Sequence, residues 1–275
     1  MKTLLRFVIF LLFFVPQYTF GQNIDSRLNT RQAPLPCVDK TFSIVAHIVR
    51  DSFGEPNILE DDILAAIIGL NDAFEPICID FEVCEFRFID NFQYDFIRET
   101  NFDNNDWDEM QNQFNIDRRI NMYFVTGFNF MDLRCGFSTF SGITQVDTGG
   151  VVIQKDCLGP GSQTIAHNVG HYFGLYRTFE GTPGELVDGS NALIAGDSIA
   201  DTPADPYIIT DPIEDYIDVE NCRFIDTGQD ANQEYFAPHV GNIMSYYPDP
   251  CRCSFSHEQY LKMANTFLNS EDKTW

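Results

Sequence analysis

Residues 164–177, reading TIAHNVGHYFGLYR, constrain this chain more than any other stretch. Coiled as a helix, they send the imidazoles of His167 and His171 out from one face, one turn apart. Ile165, Val169, Tyr172 and Phe173 fall on the other side, at the spacing of a stripe that faces a core. Gly174 predicts a left-handed stop, after which the chain turns sharply and brings Arg177 back toward the histidines. The stretch therefore asks for a buried helix, a sharp turn and a third group returned to the histidine pair. On such a helix two ring nitrogens can grip one metal ion. An isolated H-x-x-x-H pair is more often incidental, so the rest of the chain decides.

The amino terminus points to export. Residues 1–22 read as a secretory signal peptide, with Lys2 and Arg6 as its positive end, an apolar run at 7–15, and small Gly21 before Gln22 as a cleavage point. The run is short for a membrane span, with a retained anchor as the alternative, and no later segment reaches about 18 apolar residues. A secreted, periplasmic or extracellular protein is expected, with no membrane contact after cleavage. Residues 23–40 predict a loose leader, and 41–275 a single domain long enough for a sizeable core.

Without Lys2 and Arg6, the 17 basic residues fall to 15 against 41 acidic ones, so the formal net charge moves from −24 to −26. That charge argues against nucleic acid and anionic membrane as partners. It suits divalent cations or basic peptides, and simple solubility accounts for it equally well. All eight cysteines lie beyond the signal peptide, and an even count in an exported chain reads as disulfides. Cys251-Arg252-Cys253 is too tight for a metal knuckle. Sequence leaves the connectivity open; the pairing expected is Cys78–Cys84, Cys135–Cys157 and Cys222–Cys251, with Cys37–Cys253 left over.

In chain order, residues 41–50 read as a buried strand, and His47 within it is assigned no role. Residues 58–74 predict a helix, with Ile63, Ile67, Leu70 and Phe74 at helical spacing. Strands are expected at 79–89 and 120–125, with an acidic, amide-rich helix or irregular excursion at 103–115. Residues 135–156 set four glycines between short β-prone runs ending at 150–154, as a hairpin would. Residues 181–207 form a long loop containing GDSIADTPADP, where Asp197, Asp201 and the Thr202 oxygen are the hard ligands calcium prefers; a solvated acidic loop is the plain alternative. Ser256 and Gln259 make a capping box that opens a last helix. Nothing marks a second domain.

Residues 164–181, TIAHNVGHYFGLYRTFEG, with the later DTP segment and NIMSY at 242–246, resemble the pappalysin-type (ulilysin-like) metzincin zinc peptidases. The resemblance covers about residues 41–268 and implies an α+β metzincin-like domain: a twisted mixed β-sheet, an active-site helix and a Met-turn. That family reads H-E-x-x-H-x-x-G-x-x-H, which His167, His171 and Gly174 match. Asn168 stands where the family has its catalytic Glu, and Arg177 where it has its third zinc-binding His. The resemblance further implies that Met244 floors the metal site and that Tyr246 faces a substrate carbonyl. It also implies that the strand before the helix pairs with extended substrate, and that the D-T-P loop carries structural calcium.

The two departures differ in kind. Asn168 keeps the shape of Glu, but its amide does not accept a proton near neutral pH. General acid–base help is worth about 10²–10⁴-fold. Arg177 offers no lone pair and stays cationic, so it repels a divalent ion; its expected partners are Glu180 and acceptors near the histidines. Two imidazoles fall short of the three protein ligands of a catalytic zinc, so weak or absent zinc binding is expected. The leading expectation is a secreted pseudopeptidase that binds peptide or protein in its cleft. The alternatives are a residual zinc endopeptidase with an unforeseen third ligand, and a structural, calcium-stiffened domain.

Overall fold

The computed structural model describes residues 33–98, 106–129, 135–145, 149–181 and 184–270. The signal peptide and most of the leader lie outside the described residues.

Strand β1 (Lys40–Val49) alternates its side chains between two packed faces, so almost all of it is buried. Helix α1 (Glu60–Phe74) buries Ile63, Ile67, Leu70 and Phe74, as their spacing predicts. Glu60, Asp61 and Asp62 sit in its first turn, where carboxylates complement the helix dipole. Strand β2 (Ile79–Ile89) follows, then the short β3 (Phe96–Ile97), α2 (Asp106–Phe114), β4 (Ile120–Val125) and β5 (Gly127–Phe128). Next come β6 (Gly136–Ser138), β7 (Val151–Gln154), α3 (Thr164–Tyr172), the small pair β8 (Ile217–Asp218) and β9 (Arg223–Phe224), and α4 (His257–Leu268).

Five strands form one mixed sheet in the order β2-β1-β4-β7-β6. The first four run parallel, and β6 closes the edge antiparallel to β7. Helices α1, α3 and α4 cover one face, where Phe42, Ile44, Met122 and Ile153 meet Phe74, Val169, Phe173 and Met263. Met110 of α2 lies against the opposite face, with Tyr123, Val125 and Val152. Strand β4 is buried on both sides, which explains its unbroken apolar run. Beyond α3 the chain is largely irregular and gathers around a third cluster of Phe179, Tyr207, Tyr216, Ile217 and Tyr247. Ser256 caps α4 with both capping-box bonds present.

Two of the expected disulfides are corrected. Cys135–Cys157 and Cys222–Cys251 form, but Cys37 bonds Cys78, and Cys84 and Cys253 are free and exposed. Parallel pairing is the reason. Cys37 and Cys78 lead into neighbouring parallel strands, which brings their Cα atoms to 4.9 Å. Cys84 lies six residues further along extended β2, roughly 20 Å from Cys78 at ~3.3 Å per residue, beyond any disulfide's span.

Candidate functional site

Every residue of α3 is buried, because the sheet takes one side and the segment around Met244 the other. A Cβ on Gly170 would stand 2.5 Å from Met244 Sδ, so the Met-turn packs directly against the helix between the two histidines. Asn242 builds that turn: its side-chain oxygen accepts from Met244 N at 2.8 Å, and its amide donates to Gln259 of α4 at 2.9 Å. Gly174 has φ +90° and stops the helix where the sequence places the stop.

His167 Nδ1 donates to the Ile243 carbonyl at 2.8 Å, and His171 Nδ1 to the Leu175 carbonyl at 2.7 Å. A carbonyl only accepts, so each ring, when neutral, carries its lone pair on Nε2 and is oriented from behind by that carbonyl. The two rings stand perpendicular, 4.7 Å apart. Burial, aided by His171 and Arg252, holds His167 well below the usual imidazole pKa and keeps it neutral.

Asn168 donates to the Thr164 carbonyl at 2.8 Å, and its amide fits against Gly136 of edge strand β6, where a Cβ would come within 2.8 Å of it. Arg177 leaves the turn after α3 and is only one-fifth exposed. Its Nε donates to the Tyr246 hydroxyl at 3.0 Å and its Nη1 to Glu180 at 3.2 Å. The expected Glu180 pairing is present; the other acceptor is Tyr246, whose ring lies 5.5 Å from that of His167. Two imidazoles and a guanidinium do not make a catalytic zinc set. Among the described residues, no group of three or more His, Cys, Asp or Glu side chains is arranged to hold a metal ion.

His167 opens on a cleft of about 450 Å³, lined also by Asn168, Gly136, Tyr207, Tyr246 and Arg252. Arg252 escaped the sequence reading, which treated C-R-C only as a cysteine pattern. Its Nη1 donates to the carbonyls of Ile243 and Ser245, both at 3.2 Å, so it shares with His167 the oxygen that orients the imidazole.

The long loop divides the calcium candidates. Asp197 is fully buried; its Oδ1 accepts from Thr202 at 2.7 Å, and its Oδ2 from Gln259 at 3.4 Å. Asp201 instead caps α4, accepting from Ser256 and from Glu258 N. The residue that joins Asp197 is Glu185, an isolated Glu with no local sequence signal. Burial first, then Asp197, pushes Glu185 up to about 8, and its Oε1 is buried with no hydrogen-bond partner. Burial likewise pushes Asp197 up to about 7. Glu185 thus leaves one buried carboxylate oxygen without a hydrogen-bond partner in the same long loop as Asp197 and Thr202.

Residues 98–268 match the profile of a peptidase family described as pregnancy-associated plasma protein-A. An extracellular metalloprotease of Colletotrichum graminicola is 32% identical over 160 residues, 52% of this chain and 48% of that protein. One from Pyricularia oryzae is 30% identical over 158 residues, covering 54% and 48%. The chain thus spans about half the length of the relatives it matches. A promirolysin mutant of Tannerella forsythia has the same fold, with a TM-score of 0.54 at 19% identity over 87% of this chain and 83% of that one.

Proposed function

Because the chain belongs to the pregnancy-associated plasma protein-A peptidase family, we propose that it is an exported, catalytically impaired member that holds a peptide or protein segment in its cleft rather than cleaving it. The single observation behind this reading is Arg177. It stands at the position the family gives to its third ligand, drawn onto Tyr246 and Glu180. Asn168 adds to the impairment, since its amide is bonded to its own helix and takes no proton. The cleft and its edge are intact. Strand β6 offers main-chain groups to an extended peptide whether or not chemistry follows. Export is supported by the three disulfides and by relatives named extracellular.

The test pairs two assays on the purified protein: hydrolysis of a generic protein substrate with and without chelator, and titration with a peptide library. Peptide binding without turnover is expected. Steady hydrolysis abolished by chelator would overturn the reading.

One observation favours the zinc endopeptidase alternative. Both histidines have Nδ1 tied to carbonyls, the way metal-bound imidazoles are commonly oriented. That alternative requires a third ligand from elsewhere and predicts chelator-sensitive turnover removed by His167→Ala. Calcium at Glu185, Asp197 and Thr202 is compatible with either reading, and its role would be structural.

A further inference from the structure

The cleft beside His167 carries its own counter-ion. Asp249 and Arg252 both line it, and Arg252 Nη2 donates to Asp249 Oδ1. The pair is asymmetric: the Arg252 side chain is 10% exposed and that of Asp249 is 33% exposed. Arg252 is anchored by Nη1 on the Ile243 and Ser245 carbonyls, while its Nε is buried with no hydrogen-bond partner. A buried donor left without an acceptor is unfavourable, so neutral hydrogen bonding alone accounts poorly for a guanidinium here. A buried cation needs a nearby anion, and Asp249 is that anion.

The rest of the lining is mostly aromatic or apolar, including Tyr207, Ile213, Tyr246 and Pro248. Two other carboxylates face the cleft. Asp211 accepts from the Tyr216 hydroxyl at 2.8 Å, and Glu214 is exposed, where water and salt screen it. On the wall that Arg252 occupies, the Asp249 charge is therefore balanced, while Asp211 and Glu214 leave the lining as a whole net acidic.

Resting on the peptide-holding reading, we propose that Arg252 is a specificity-determining residue: by neutralising Asp249 from within, it makes this cleft a pocket for an uncharged aromatic or aliphatic peptide side chain. A lysine or arginine entering it meets a guanidinium already paired with the acid it seeks. A glutamate meets the exposed carboxylate. Neutral side chains meet tyrosine and proline surfaces and leave the ion pair intact. Rejection here works by charges built against the wrong ligand, as specificity often does.

The test uses one neutral extended peptide frame bearing Phe, Lys or Glu at a single position, titrated by fluorescence anisotropy. The proteins are wild type, Arg252→Met and Asp249→Asn, each checked by its thermal melt. Wild type is expected to bind the Phe peptide at least ~10-fold tighter than either charged one, since each ~1.4 kcal/mol is a factor of ten. Arg252→Met uncovers Asp249 and improves the Lys peptide about tenfold, the scale of one charge-assisted hydrogen bond. Asp249→Asn leaves the cation and improves the Glu peptide in the same way, so the test stands if Arg252→Met does not fold. A wild-type preference for Lys, or no charge switch in either variant, overturns this inference and leaves the peptide-holding reading standing. Absence of binding by every peptide overturns both.

Discussion

Up to Gly174 this molecule is held by backbone ladders and helices; beyond it, the chain as far as α4 is held mainly by side chains. In the first half, β1, β2, β4 and β7 pair in parallel and α1 and α3 lie on them, joined there by α4 from the far end of the chain. In the second, single residues do the work of strands. Buried Asp205 accepts from Thr178 at 2.6 Å, from Tyr247 at 2.9 Å and from Tyr207 N at 3.2 Å. Asp230 accepts from the backbone of Val187, Asn232 and Glu234. The cleft lies along the seam between these two kinds of structure. The helical side supplies His167 and Asn168, and the loop side supplies Arg252 and Tyr246, on which Arg177 is hydrogen-bonded. Arg177 departs from the family pattern where a replacement disturbs no ladder, which is where loops usually vary. Asn168 is the exception, and it differs from the family Glu by a single polar group.

Cutting the disulfides would separate the halves most strongly. Cys37–Cys78 closes a span of 41 residues at the sheet, so Cys37→Ser is expected to lower global stability by about 4 kcal/mol in a denaturant melt. Cys222→Ser should instead loosen hydrogen exchange beyond Gly174 and leave the amides of β4 protected. Equal loss of protection in β4 would merge the two halves into one cooperative unit.

The halves should also answer pH with opposite signs. His47 is fully buried, bonded to Asn121 at 2.9 Å and stacked on Tyr123; burial lowers it from 6.5 to about 4. The unfolded chain therefore binds the extra proton first. Stability is intact above about 6.5 and lost as pH falls toward about 4, by up to ~3 kcal/mol. His47→Gln should flatten that slope. Glu185 and Asp197, pushed up to about 8 and about 7, behave the other way. Their contribution is complete below ordinary carboxylate pKa values and is lost as pH rises through 7 to 8 in calcium-free buffer. Millimolar calcium is expected to remove that loss and raise the melting temperature at pH 8; an unchanged melt would exclude the site.

Asp205→Ala leaves two buried hydroxyls without their acceptor and should cost about 2 kcal/mol, felt mainly beyond Gly174. The smallest effect belongs to Cys84→Ser, within about 0.5 kcal/mol, since this thiol is exposed and unbridged.

The same division explains what could be read in advance. Periodicity exposed α1, β2 and β4, because burial of one face or both is written at a spacing of 3.6 or 2. The placement of the histidine pair, Gly174 and Met244 was legible because it depends on local spacing. Glu185, Asp205 and Arg252 were not, because each acquires its role only when distant loops meet. Parallel pairing of β1 with β2 is equally non-local, so Cys37–Cys78 was missed.

Zinc content tests the central claim most directly. The wild-type protein and Arg177→His would be loaded with zinc, dialysed, and measured for metal per molecule. A value near zero for wild type and near one for Arg177→His is predicted, because the substitution returns the third imidazole to its family position. A value near one in the wild type, lost on His167→Ala, would contradict the account and show that another third ligand completes a zinc site.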